Sequence, residues 1–269
     1  MSALRVGRIS ALNMYPVYHH LEEAALPGVA FTDGLPAALN AALLDGGLDV
    51  SAMSSIEYAR NADRLRLLPA GCIACDGAVD SIRLLSPVPL EQVTRVAVTP
   101  HSASSVALLR VLLGDGPAFR VLDGPAADAI AHGEAVLLIA DEALVAHRDG
   151  LAPYSIDLGE LWQQRTGLPM VFAVWAARDE VAAAREAEVA ALADAINDAR
   201  RAYLADPALV VAHAAERFPF PPQYIAGYLA RLSYDFGPAE RAGLARFLEL
   251  ARAAGELQDI PDTPTPVAA

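Results

Sequence analysis

The chain has 269 residues, 54% of them hydrophobic, with a mean hydropathy of +0.31. That suffices for two buried cores, each in a lobe of roughly 100–150 residues. Twenty Lys and Arg against 33 Asp and Glu give a formal net charge of −13. This balance argues against nucleic acid and anionic membrane surfaces, whose binding depends on Lys and Arg neutralising phosphates. It leaves room for a small anion, because helix N-termini and one or two arginines make a cleft locally positive. No apolar run reaches the roughly 18 residues of a membrane span. The opening MSALRVGRIS carries no signal-peptide-like apolar stretch, so the expected compartment is the cytoplasm.

The first sixty residues alternate strand and helix patterns. Leu4–Ile9 reads as a strand and Val17–Leu26 as a helix, broken by Pro27-Gly28. Val29–Thr32 is a second strand. A helix starts near Pro36 and runs to Asp45, where Gly46-Gly47 ends it. Leu48–Met53 is a third strand, and Ser54-Ser55 look like caps for a helix starting near Ile56. Such alternation predicts a parallel sheet.

Leu65–Ala74 and Val79–Leu85 read as two more strands before Pro87 and Pro89 interrupt the pattern. A second series follows: strand Val93–Val98, helix Ser104–Leu113, strand Phe119–Leu122, helix Pro125–His132 and strand Ala135–Ile139. Asp157–Thr166 reads as a helix and Met170–Trp175 as a strand. Glu180–Ala205 is a long Ala/Glu/Arg helix, and Pro207–Arg217, Pro222–Arg231 and Pro238–Ala253 are three more. Leu232–Phe236 reads as extended, and the proline-rich tail from Ile260 as frayed.

Two βα series, a break between them and closing helices predict an α/β clamp with two sheets. The expected division is residues 1–88 with 176–269 as lobe 1 and 89–175 as lobe 2. A ligand would lie between the lobes, beside the strand C-termini. The common enzymatic signatures are missing: no GxGxxG after a first strand, no P-loop, no GxSxG and no HExxH. The six histidines lack metal-ligand spacing, so no metal site is expected, and the adjacent His19-His20 read as surface residues. Cys72 and Cys75 form a lone CxxC with no second pair, which reads as two buried structural thiols.

Candidate site residues are polar groups at strand ends and helix starts. Arg8 and Asn13 follow strand one; the Asn amide either binds a hydroxyl or carboxylate or shapes a turn. Ser54 and Ser55 offer hydroxyls beside free helix N–H groups, as an anion site or as simple caps. Ser81 lies in an apolar run and Arg83 would share its face by the period-2 rule. Ser102, Ser104 and Ser105 mirror Ser54-Ser55 from the other lobe, so two anion sites facing one cleft suit a dicarboxylate. His101 reads either as a general base or as a surface loop residue. Asp141 either takes a ligand hydroxyl or caps a helix, and Trp175 either lines the cleft or belongs to the core.

GRISALN (7–13), Gly34-Leu-Pro with Leu39-Asn40, LDVSAMSSIEYA (48–59), VDSIRLLS (79–86), SASSVALL (102–109), ADEAL (140–144) and TGLPMVFAVWAAR (166–178) occur in that order. Together with SYDFGPAERAGLARFLEL (233–250), they resemble the chorismate dehydratase family of menaquinone biosynthesis. The resemblance implies a two-lobed, periplasmic-binding-protein-like (type II) fold in the cytoplasm. It implies loss of water from chorismate to give 3-[(1-carboxyvinyl)oxy]benzoate, with no metal or organic cofactor. Asn13, Ser54, Ser55, Ser81 and the Ser102–Ser105 turn match the family's cleft pattern. Two positions depart from it: Ser104-Ser105 where Thr-Ser is usual, and Ala140-Asp141 where Gly-Asp is common. No enzyme base stands out, so the expected mechanism is substrate-assisted, with Asn13 and Ser81 positioning the enolpyruvyl carboxylate or aiding the leaving hydroxyl. The alternatives are the sister 1,4-dihydroxy-6-naphthoate synthase on the same fold and a cytoplasmic anion-binding protein without catalysis.

Overall fold

The computed structural model describes residues 2–24 and 26–257, so the expectation for the tail from Ile260 lies outside the described residues. The chain opens with β1 (Leu4–Ile9), a 3-10 turn (Leu12–Met14), α1 (Tyr15–Glu23), β2 (Val29–Gly34), α2 (Pro36–Leu44), β3 (Val50–Ser54), α3 (Ser55–Arg60) and β4 (Leu65–Cys75). It continues with β5 (Ile82–Ser86), β6 (Arg95–Val98), α4 (Ala103–Leu113), β7 (Ala118–Val121), α5 (Ala126–Ala131), β8 (Ala135–Ile139), α6 (Ala140–Arg148), β9 (Tyr154–Asp157) and α7 (Leu158–Thr166). It ends with β10 (Met170–Arg178), α8 (Asp179–Ala184), α9 (Glu186–Ala205), α10 (Pro207–Arg217), α11 (Pro222–Leu229), β11 (Leu232–Ser233) and α12 (Pro238–Ala253).

Two sheets result. The first has the order β11-β4-β10-β3-β1-β2 and the second β7-β6-β8-β5-β9. In the first, β1 pairs parallel with β2 and β3, as the βα alternation predicts, while β10 runs antiparallel between β3 and β4. In the second, β6 pairs parallel with β7 and β8, and β5 runs antiparallel between β8 and β9. All five residues of β3 are buried, which suits an interior strand covered on both faces. Gly7 lets β1 approach β3: a Cβ there would lie 2.4 Å from Ser51 Oγ.

The sheets divide the chain differently from boundaries at 88/89 and 175/176. Ile82–Ser86 belongs to the second sheet and Met170–Arg178 to the first, so the crossings lie at 76–81 and 158–169. Both strands are apolar and bounded by turns. Their composition says that they pair, and only the antiparallel partners, distant in sequence, say with which sheet. The one long helix expected over 180–205 is two, because Arg185 leaves helical geometry (φ −130°, ψ 39°) between α8 and α9. β9 was not expected: YSID is a short, half-buried strand held by its pairing with β5.

A continuous apolar core runs through both sheets rather than forming two separate ones. It joins Val6, Met53, Trp175 and Phe247 to Val96, Leu108, Leu137 and Trp162, and a smaller cluster around Leu85, Val136 and Leu138 covers the other face of the second sheet. Trp162 of α7 meets Phe247 of α12 edge-on at 6.1 Å, so a C-terminal helix packs against the second crossing. His19 is also buried, against expectation, because α10 covers α1 and sets His213 Nδ1 3.1 Å from His19 Nε2. Cys72 and Cys75 are buried and free.

The α12 contact is a backbone approach, since a Cβ on Gly243 would lie 2.0 Å from the Pro169 carbonyl oxygen. Gly243→Ala must therefore separate α12 from the second crossing. The expected cost is about 1–3 kcal/mol of overpacking, read as a lowered Tm in thermal unfolding; an unchanged Tm would contradict the tight approach.

Candidate active site

A cavity of about 220 Å³ lies between the two sheets, opposite the strand C-termini. The 3-10 turn after β1 brings Ser10, Asn13 and Met14 to it, and the β2–α2 turn brings Gly34, Leu35 and Pro36. β3 ends in it with Ser54, and Ile73, Phe172 and Ala173 floor it. From the other side come Ser81 and Ile82, His101, Ser102 and Ser105 at the start of α4, and Ala140, Asp141 and Glu142 at the start of α6.

Of the sequence candidates, Asn13, Ser54, Ser81, Ser102, Ser105 and Asp141 converge on this cavity. Asn13 is the most telling. Its side-chain Oδ1 is buried without a hydrogen-bond partner among the described residues, while its backbone carbonyl is held by the Tyr234 hydroxyl at 2.7 Å. A buried amide oxygen left unpaired is costly, and a ligand donor would satisfy it. Ser54 does not cap α3. Its hydroxyl oxygen accepts from Asn40 Nδ2 at 3.1 Å, and its N–H donates to Asn40 Oδ1. The Ser54 hydroxyl proton is thereby left for the cavity. Ser102 does cap α4, accepting the Ser105 N–H at 3.3 Å and donating to the Ser105 hydroxyl at 2.8 Å.

Five candidates lie elsewhere. Arg8 projects from β1 to the outer edge, where it pairs with Asp33 and Glu22 and lies over the Phe31 ring. Being on β1, one residue before the strand's end, it follows the strand's alternation away from the cleft. Arg83 is buried beneath the cavity: Nη2 reaches Asp80 Oδ1 at 2.8 Å and Asp157 Oδ2 at 3.5 Å, and Nη1 reaches Ser155 Oγ at 3.3 Å. It does not join Ser81 on the cavity wall, because Ser81 belongs to the crossing before β5 rather than to the strand. Ser55 and Ser104 bind each other instead of a ligand. Their hydroxyls lie 3.0 Å apart, Ser55 donates to the Val171 carbonyl at 2.8 Å, and Ser104 accepts the Ile56 N–H at 3.2 Å. This fully buried junction ties α3 to α4 across the lobes. Trp175 is core, packed edge-on against Tyr18, and Phe172 supplies the cavity's aromatic surface.

Three residues that sequence reasoning did not count as candidates, and His101, which it left open, shape the site. Asn40 braces Ser54, and its signal was a polar residue inside the apolar helix PAALNAALL. His101 lines the cavity instead of a surface loop. Tyr228 of α11 is buried near Ser81; burial pushes its phenol well above the ordinary range, and Ser81 works the other way. Asp157 fixes the crossings. Its carboxylate accepts the N–H groups of Val79, Asp80, Gly159 and Glu160 at 2.7–3.2 Å.

Asp141 spans the cleft. Its Oδ1 accepts the Leu12 N–H at 3.2 Å from the opposite lobe. Burial pushes its carboxyl above the ordinary value, and that hydrogen bond offsets part of the effect. Ala140 before it takes a left-handed conformation (φ +52°), which glycine adopts without steric cost. Among the described residues, no group of three or more His, Cys, Asp or Glu is placed to hold a metal ion, and no helix is long and apolar enough to cross a membrane.

Two sheets joined by two crossings, with a cavity between them, define a periplasmic-binding-protein-like clamp. A Candida albicans protein of the generic periplasmic-binding-protein fold superposes with a TM-score of 0.73 at 14% identity, covering 97% of this chain and 93% of that one. The family described as menaquinone biosynthesis matches residues 4–253. A chorismate dehydratase of Thermus thermophilus is 35% identical, covering 88% of this chain and 91% of the relative. A 1,4-dihydroxy-6-naphthoate synthase of the same organism is 27% identical, covering 95% and 96%. The chain belongs to the menaquinone-biosynthesis family.

Removing the Asp157 carboxylate would strand four N–H groups and take one of the two carboxylates from Arg83. Asp157→Ala is expected to cost about 3–5 kcal/mol, as for breaking a buried ion pair, and to lower Tm by about 10 °C. A Tm within a degree or two of the parent would show that the crossings do not depend on it.

Proposed function

We propose that this protein is a hydro-lyase that dehydrates chorismate to 3-[(1-carboxyvinyl)oxy]benzoate, a step of menaquinone biosynthesis, and that it works in the cytoplasm. The observation that carries the reading is the Asn13 Oδ1, unpartnered among the described residues, in a cavity that hydroxyls and helix N-termini border. Chorismate is a dianion with a ring hydroxyl. Its hydroxyl supplies the donor that Asn13 lacks. Its carboxylates suit the N-termini of α2 and α4, where unpaired N–H groups and the helix dipole favour negative charge.

The chemistry requires little of the protein. The ring carbon bearing the enol ether loses its proton, the neighbouring carbon loses its hydroxyl, and the ring becomes aromatic. The enolpyruvyl carboxylate, folded over the ring, takes the proton. Ser81 donates a hydrogen bond that fixes that carboxylate, and Asn13 holds the hydroxyl in line for departure. Phe172, Ile82, Leu35 and Met14 give the apolar surroundings that keep bulk water from the reacting face.

The sister naphthoate synthase remains the second reading because its likeness spans nearly the whole chain. Incubation with chorismate, followed by chromatography and mass spectrometry, decides between them: loss of one water to an enolpyruvyl benzoate is expected, and unchanged chorismate from folded protein would overturn the proposal. Asn13→Ala and Ser81→Ala should each lower kcat/KM by about 100-fold through lost positioning, whereas Arg8→Ala should leave kcat/KM within about twofold, since surface ion pairs contribute little. Unimpaired kcat/KM in both cavity variants would remove their assigned roles.

A further inference from the structure

The cavity poses a charge problem. Among the described residues its lining contains Asp141 and Glu142 but no lysine or arginine, and His101 is the one basic side chain on it. A dianionic substrate adds two more carboxylates. Like charges brought together in a site poor in water cannot all stay ionised. One carboxyl must take up a proton, and the geometry singles out which.

Asp141 sits at the cavity wall, at the start of α6. The left-handed backbone at Ala140 turns the chain sharply from β8 into the helix and aims the next side chain inward. Oδ1 is engaged by the Leu12 N–H from the opposite lobe. Oδ2 has no hydrogen-bond partner among the described residues. An N–H donor on Oδ1 places a proton on Oδ2, facing the cavity. Leu12 adjoins Asn13, so the bond to Leu12 holds Asp141 in the same cavity as the amide that would receive the ring hydroxyl.

We propose that Asp141 is the general acid of the dehydration, giving its Oδ2 proton to the departing ring hydroxyl. The inference rests on the chorismate reading above. As the ring C–O bond breaks, its electron pair goes to the hydroxyl oxygen, which takes the Asp141 proton and leaves as water. The ring C–H proton passes to the enolpyruvyl carboxylate, and that C–H pair forms the new ring double bond. After product release, the substrate-derived proton returns through solvent to Asp141. The overall change is chorismate to aryl ether plus one water, with no oxidant or reductant.

Burial already raises the Asp141 carboxyl, and a dianion beside it works in the same direction. An acid is active while protonated, so its contribution is present below its pKa and lost as pH rises through it. The groups that face it are Glu142 on its own helix, His101 before α4 and Tyr228 of α11. Of the other elements packed on α6, β8 and the Leu12–Met14 turn carry no titratable side chain, and Arg83 of β5 is engaged by Asp80 and Asp157.

Asp141→Asn tests this, because the amide oxygen still accepts the Leu12 N–H while the acidic proton is gone. With chorismate, kcat should fall by about 100-fold or more, KM should not rise, and the alkaline falling limb of the wild-type kcat profile should disappear. Asp141→Glu should restore part of kcat and the limb. Wild-type kcat in Asp141→Asn, or an alkaline limb unmoved in it, would overturn the acid role while leaving the dehydratase reading intact. No turnover by the wild type would overturn both. Should the variant not fold, calorimetry of product binding to the wild type, in buffers of different ionisation enthalpy, reads the same proton: uptake on binding the dianion is expected, and its absence overturns the proposal.

Discussion

One buried carboxylate holds together the two places where the chain changes sheets. Asp157 receives Val79 and Asp80 from the first crossing and Gly159 and Glu160 from the start of α7, which begins the second. A carboxylate removed from water is costly unless its lone pairs are filled and its charge is balanced. Here four N–H donors fill them and Arg83 lies 3.5 Å away. Asp157 is therefore both the N-cap of α7 and the clasp of the hinge. Ser81 follows Asp80 directly, so the clasp also sets where the cavity's hydroxyl stands.

The lobes meet through contacts of unequal strength. Ser55, Ser104 and the Ile56 N–H form a fully buried junction deep between them, and the core continues past it from one sheet to the other. Nearer the cavity, the Leu12 N–H to Asp141 bond is, among the described residues, the one hydrogen bond between the Leu12–Met14 turn and α6. A fixed root and a lightly tied mouth allow a ligand to enter without unmaking the core. Neighbouring serines consequently differ in role. Ser54 and Ser105 face the cavity, whereas Ser55 and Ser104 lock the lobes, because adjacent residues at a helix start point about 100° apart.

The alternation of apolar runs and helix patterns made the two βα series legible, and with them the position of the cleft at strand ends. Polar residues in those turns, such as Asn13, Ser54, Ser102 and Asp141, could be found by the same reasoning. What remained hidden depends on partners distant in sequence. Whether Ile82–Ser86 joins the first or second sheet is decided by β8 and β9, and Arg83 turns from a cleft candidate into a buried counter-ion only because Asp80 and Asp157 are there. Arg8 looked available because its acidic partners lie on other elements: Asp33 on the neighbouring strand and Glu22 on α1. Asp157 itself read as an ordinary helix start, since half of its ligands come from residues 77 and 78 positions earlier.

The strained position at Ala140 connects stability to chemistry. A non-glycine residue with φ near +52° costs on the order of 1 kcal/mol, which glycine would avoid. The conformation persists because both sides are fixed: Ile139 is the last residue of a strand paired through β5 and β6, and Asp141, in the first turn of α6, has its carboxylate tied to Leu12. The turn between them has no freedom to relax. Geometry imposed by rigid neighbours is what aims a short side chain such as Asp into the cleft, and a longer Glu would reach the same space with more freedom and less direction. The backbone of this turn, more than the identity of the residue at 140, is what the site requires.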